Sequence, residues 1–272
     1  MQNYSTSPRA MTTSLWQHRA LILTLAKREV AGRYRGSMLG MLWSFFNPVF
    51  MLAVYTFVFS VVFKARWGSG GESRTEFALI LFAGLLLFNL FAECIGRAPT
   101  LILGNANYVK KVVFPLEILP WVSFGAALFH AAISFCVWLL FYLLMFGPPH
   151  ATVLLLPVVL LPLSLMVMGL SWFLASLGVF LRDVAQVVGI VISVLMFLTP
   201  LFYPASAIPA SYQPLLQLNP LTFIVEQARG LLVFGVAPAW GALLLMTCLA
   251  ALVAWLGFAW FQKTRKGFAD VL

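Results

Sequence analysis

From residue 38 onward, long apolar runs alternate with short polar ones. Six runs, at residues 38–63, 77–95, 118–146, 153–181, 184–202 and 241–261, hold almost no charge. Each reaches the roughly 20 residues that a helix needs to cross the hydrocarbon core of a bilayer. The pattern ahead of them differs. Leu15, Ile22, Ala26 and Val30 fall on one helical face, with Trp16 and Leu23 beside it and Gln17, Thr24, Lys27 and Arg28 opposite. Leu21 and Leu25 interrupt the polar side. Residues 14–35 therefore read as an amphipathic interface helix partly covered by protein on its second side, or as a plain anchor for the N-terminus.

Local signals refine this picture. Ser14 and Gln17 have the spacing of a capping box, which predicts a helix start at Ser14. Gly32, Gly36 and Gly40 recur every fourth residue; the reading is an elbow at Gly32 and close helix packing at Gly36 and Gly40. Between the second and third runs, residues 98–115 carry Asn105, Asn107, Tyr108, Lys110 and Lys111. They suit either a docking element for a partner or an ordinary basic loop. Pro115 and Glu117 mark the helix start that follows, because a first turn needs no N–H from proline and favours an acid.

After the fifth run the apolar character persists but the helix cannot. Pro200, Pro204, Pro209, Pro214 and Pro220 fall within 21 residues, which breaks any continuous helix. Residues 200–236 are expected to dip into the membrane and return, as a gate or as a structural lid. Residues 221–234 read as a short helix with Glu226 and Arg229 three apart.

Composition removes the soluble alternatives. The chain is 62% hydrophobic and only 9% charged, with a mean hydropathy of +0.97, so an all-α polytopic membrane protein is predicted. The first ~35 residues lack a signal-peptide pattern. Cys94, Cys136 and Cys248 fall within spans and read as small apolar residues. Asn3-Tyr4-Ser5 matches a glycosylation sequon but sits in a tail expected inside the cell.

Charge then orients the spans. With both termini inside, 13 cations lie on the inner side: Arg9, Arg19, Lys27, Arg28, Arg33, Arg35, Arg97, Lys110, Lys111, Arg182, Lys263, Arg265 and Lys266. Only 4 lie outside, Lys64, Arg66, Arg74 and Arg229. The positive-inside rule favours cytoplasmic termini and an even number of spans. The net charge of +9 is thereby explained without nucleic acid.

Candidate chemistry is sparse. Glu93 and Arg97 are spaced for a helical ion pair, and His130 alone lies deep in a span, suited to an interhelical hydrogen bond. Arg182-Asp183 marks an inner turn. The sequence shows no carboxylate–histidine relay, no inverted repeat, no metalloprotease helix and no phosphate-binding Gly-rich loop with its lysine. An ion-coupled carrier and a membrane glycosyltransferase or phosphatase are disfavoured, and any work done needs energy from a partner. Aromatics make up 15% of the chain, with 25 Phe. Phe46, Phe50 and Phe57 share one face of the first run, Tyr55 and Phe59 another, and Phe197, Phe202 and Tyr203 close the fifth. Such rings can stack on sugars, or pack between helices and against lipid.

Three stretches carry a family resemblance. Ala26-Lys27-Arg28-Glu29-Val30 with Arg33-Tyr34-Arg35-Gly36-Ser37-Met38-Leu39-Gly40-Met41-Leu42-Trp43 resembles the opening segment of type-2 ABC exporter permeases for O-antigen, capsule and teichoic acid. Asn107 to Pro115 is similar to that family's coupling segment, and Leu198 to Pro204 with Leu218 to Thr222 to its outer re-entrant region.

The resemblance implies six transmembrane helices, an N-terminal amphipathic interface helix and a re-entrant outer hairpin. The expected layout is a tail at 1–13, the interface helix at 14–35, the transmembrane domain at 36–265 and a cytoplasmic tail at 266–272. It implies a homodimer in a bacterial inner membrane, bound to two copies of a separate ABC ATPase that alone holds ATP and magnesium. The cargo would be a polysaccharide on an undecaprenyl pyrophosphate-type lipid. Lys27, Arg28, Asn105, Asn107, Tyr108, Lys110 and Lys111 would couple to the ATPase. Arg33, Tyr34 and Arg35 would meet the pyrophosphate, since guanidinium binds phosphate bidentately. Phe46, Phe50, Tyr55, Phe59, Phe197, Phe202 and Tyr203 would line the channel, and Pro204, Pro209, Pro220, Glu226 and Arg229 would form the outer gate. A type-2 ABC exporter of a lipid or drug would share this layout.

Overall fold

The computed structural model describes residues 5–58, 74–110 and 114–272. Its helices are α1 (Pro8–Gln17), α2 (Arg19–Arg33), α3 (Trp43–Tyr55), α4 (Arg74–Arg97), α5 (Ala106–Lys110) and α6 (Leu119–Phe146). They continue as α7 (Leu156–Phe180), α8 (Val184–Leu198), α9 (Gln213–Leu218), α10 (Pro220–Leu232), α11 (Trp240–Thr264) and α12 (Phe268–Val271). The protein is an all-helical polytopic membrane protein, with no strand among the described residues.

Among the described residues, five helical stretches are long and apolar enough to cross a membrane: Gly40–Val58, Thr75–Thr100, Leu116–Phe146, Ala151–Phe180 and Trp240–Val271. The fifth predicted run is the exception. Its helix, α8, has 15 residues, about 22 Å at 1.5 Å per residue and short of the ~30 Å core. It stops at Leu198 because Thr199 precedes a proline and takes extended backbone (ψ 133°). The expected extension to residue 202 is corrected.

α4 organises the bundle. Its most apolar window is 83% buried, against 11% for the stretch containing α3. It packs against α3, α6, α7, α8 and α10. In a membrane, burying an apolar side chain against protein replaces lipid contact, so close approach and hydrogen bonds carry the association. α7 and α11 meet through small residues: a Cβ on Gly257 would overlap the main chain of Gly169, and Ser176 hydrogen-bonds Thr264 at 2.6 Å. A Cβ on Gly178 would likewise overlap the Pro99 carbonyl. The fully buried indoles of Trp138 and Trp172 each donate to a carbonyl, of Leu79 (3.1 Å) and Glu117 (2.9 Å), so neither N–H is stranded.

The N-terminal helix departs from expectation in two places. Ser7 caps it, accepting from the Ala10 N–H at 3.2 Å with Pro8 in the first turn. Ser14 instead donates to the Glu117 carboxylate (3.2 Å), so the capping box is not formed. The helix also breaks at His18 into α1 and α2. The predicted apolar face of α2 is the buried one: Ile22 and Ala26 pack on Ile118 and Val122 of the α6 start. Ala26 lies close to Gly125, and Arg33 reaches His130. α2 therefore runs alongside α6 in the same direction for about 16 Å.

The glycines following α2 have another role. Gly36 (φ 86°) and Gly40 (φ 49°) adopt left-handed backbone, which glycine reaches at no steric cost. They form the elbow into the first span, and Gly32 lies inside α2 with nothing within 4 Å of its would-be Cβ. The elbow therefore lies at Gly36 and Gly40 rather than at Gly32, and none of the three makes a close helix contact among the described residues.

Candidate functional site

Helical periodicity builds the first cluster. Glu29 and Arg33 sit one turn apart on α2, and Glu93 and Arg97 one turn apart on α4. Arg33 pairs with Glu93 at 2.6 Å and Arg97 with Glu29 at 2.5 Å, while Arg97 stays 4.0 Å from Glu93. The predicted intrahelical pair is thus the weakest contact of the ladder. His130 of α6 joins it, with Nδ1 3.2 and 3.3 Å from the two Glu93 oxygens and 2.9 Å from Arg33 Nη1. Guanidinium only donates and carboxylate only accepts, so Nδ1 serves one of them at a time. His130 Nε2 is buried without a partner among the described residues. Tyr34 stands edge-on to the His130 ring at 6.0 Å. The interhelical hydrogen bond expected of His130 is present, yet its partnership with Glu93 and Arg33 joins residues 37 and 97 positions apart. Sequence spacing holds no signal for it.

The other basic residues of this end stay open. Lys27, Arg28 and Arg35 are exposed, and the Arg35 side chain has no hydrogen bond or ion pair among the described residues. Arg33, 41% exposed, is committed to internal partners. The structure therefore separates two residues that sequence treats alike.

The segment before α6 is braced from three sides. Tyr108 stacks on Phe114 at 4.3 Å, Asn105 donates to the Leu101 carbonyl, and Asn107 is exposed. Lys110 bonds the Leu272 carbonyl, and Lys111 lies outside the described residues. Arg265 donates to Glu117 (2.6 Å) and to the Phe114 carbonyl (2.8 Å), while Glu117 also takes the Ser14 hydroxyl. Phe268 is fully buried beside Phe180 and Phe261. The C-terminal residues expected as a tail are thus built into this end. Arg265 was legible only as a positive charge and Glu117 only as a helix-start acid.

Of the candidate channel aromatics, Phe46 and Phe50 are neighbours on α3 (6.2 Å), and Phe197 and Phe202 are neighbours at the α8 end (6.1 Å). Tyr203 donates to the Phe197 carbonyl at 2.7 Å. Tyr55 is half-buried against the core, and Phe59 lies outside the described residues. Each set sits on a separate helix packed against α4. An open groove along α8, lined by Gln186, Gly189, Ser193 and Phe197 among others, is mostly apolar.

At the opposite end, Arg229 is buried (1% exposed) rather than carried in an outer loop. It donates to the carbonyls of Ile80 (3.1 Å), Pro200 (2.6 Å) and Leu201 (2.8 Å) and pairs with Glu226 (2.8 Å). Gly84 makes the room: a Cβ there would stand 2.8 Å from the guanidinium. Pro220 opens α10, capped by Asn219, whose amide also donates to Thr199 (2.9 Å). Between these roots Pro204 is half-buried and Pro209 exposed. The expected gate therefore divides into a fixed part, α10 with residues 199–201, and an open stretch from 203 to 214.

Residues 20–233 match the ABC-2 type transporter family. The chain belongs to this family. The permease is also 28% identical over 262 residues to the O-antigen export system permease protein RfbA of Myxococcus xanthus, covering 96% of this chain and 98% of the relative. Two proteins of the same name from Klebsiella pneumoniae are 24% and 25% identical, each covering 93% of this chain and 95% of the relative. Family membership makes the permease a multi-pass transporter subunit and implies an ABC ATPase as its partner.

Proposed function

We propose that this permease exports a polysaccharide carried on an undecaprenyl pyrophosphate-type lipid across a bacterial inner membrane. The observation that carries the reading is near-full-length similarity to three O-antigen export permeases. The working unit is a homodimer with two ATPase subunits, which hold the ATP and magnesium. The basic end faces the cytoplasm, as the positive-inside rule asks. Exposed Lys27, Arg28, Asn107 and Lys110 are offered to the ATPase, with Asn105 and Tyr108 shaping the segment behind them. Arg35, free of internal partners, and Arg33 meet the pyrophosphate. The rings of α3 and the α8 end supply a weakly directional sugar path across the dimer, and the stretch from 203 to 214 opens for release.

Deletion of the gene tests this directly. Surface polysaccharide should disappear while lipid-linked polymer accumulates inside, and the intact gene should restore both. Unchanged surface glycan with altered export of a lipid or drug would instead select the rival exporter.

A further inference from the structure

We propose that Glu93 is the resident counter-ion of Arg33, which the substrate's pyrophosphate displaces, and that this exchange breaks one of the two ion pairs linking α2 to α4. The inference rests on the reading that Arg33 and Arg35 receive the lipid pyrophosphate.

Three observations support an exchange. First, the ladder is self-neutralised: Glu29 and Glu93 stand against Arg33 and Arg97. A free anion gains from Arg33 only by replacing Glu93. Second, Arg33 is 41% exposed but Glu93 only 20%. An arriving phosphate meets the guanidinium first, and pyrophosphate offers it a denser bidentate acceptor than one carboxylate oxygen. Third, Glu93 is not stranded by the loss. His130 Nδ1 (3.2 Å) and Arg97 (4.0 Å) already border it. Once Arg33 leaves, Nδ1 is free to donate to the carboxylate. A buried charge without a partner is costly, and this arrangement avoids one.

The exchange has a mechanical consequence. α2 packs on α6 through Ile22 and Ala26, whereas ion pairs make its link to α4. Breaking Arg33–Glu93 loosens the interface helix that displays Lys27 and Arg28. Substrate arrival is thereby reported to the partner. By linkage, a partner that favours the loosened helix raises pyrophosphate affinity by the same factor.

The test uses the permease–ATPase complex in nanodiscs, with undecaprenyl pyrophosphate as the probe. Glu93→Gln should bind the probe about fivefold or more tightly than wild type, the lower bound for typical coupling. Its ATPase rate without probe should rise toward the stimulated wild-type rate, leaving little further stimulation. Glu93→Asp, which keeps the charge but shortens the reach, should fall between and covers failed assembly of the first variant. Unchanged or weaker probe binding by both variants, with basal ATPase unchanged, overturns the exchange. If Arg33→Gln and Arg35→Gln then lose probe binding, the loading reading survives alone. If those two variants bind the probe as wild type does, the loading reading falls and the exchange with it.

Discussion

Arg33 and Arg229 are the same side chain in opposite situations. Arg229 is buried, with three main-chain carbonyls and one carboxylate around it. Arg33 is 41% exposed and held by one carboxylate and one imidazole nitrogen. Carbonyls fixed in the main chain cannot follow a departing guanidinium, so Arg229 has no cheaper state. Glu93 has Arg97 and the His130 ring within reach, so Arg33 has one. The first arginine staples the fold, and the second is placed to be exchanged.

The largest effect should come from removing the staple. Arg229→Met strands the carbonyls of Pro200 and Leu201, at about 1–3 kcal/mol for each, and leaves Glu226 unpaired. Thermal unfolding in detergent should show a large drop or no folded protein. A nearly unchanged midpoint would erase the contrast. Gly84→Leu attacks the same site by overpacking, at about 1–3 kcal/mol, and should lower the midpoint less. Arg33→Gln is the sharper comparison. Its effect on stability should stay within about 1 kcal/mol, as for other half-exposed pairs, while surface polysaccharide is largely lost. Parallel losses in both assays would make Arg33 another staple. Arg35→Lys keeps charge and orientation but not the bidentate fork. Export should fall severalfold with membrane topology, read by cysteine labelling, unchanged. Smallest is Lys27→Gln with Arg28→Gln, which should weaken ATPase co-purification without altering the unfolding midpoint.

Much of the fold was legible because its signals are local. Run length marked the long spans, and helical spacing marked Ile22, Ala26 and Val30 as the buried face of α2. Proline density marked the break after α8. The misreadings have local causes too. Ser14 fits a capping box, but Glu117 competes for its hydroxyl. Gly36 and Gly40 share a helical face only if the backbone is helical, and their positive φ shows that it is not. Arg229 was counted as an outer cation because burial does not show in spacing. Glu93 does keep its i+4 neighbour Arg97 at 4.0 Å, but its closer partners, Arg33 and His130, lie on other helices.

By itself, the sequence determined that this is a membrane protein, where its apolar helices lie, which end is basic, and its family. Hydropathy and helical periodicity act over one or two turns, so they survive in one dimension. The tertiary structure alone decided which charges are committed and which remain free. Arg33 finds Glu93 and His130, Arg265 finds Glu117, and Arg229 finds the carbonyls just beyond α8 and one of α4. Pairing of that kind depends on helices brought side by side, and in a medium without water a polar group must take whatever partner the packing supplies.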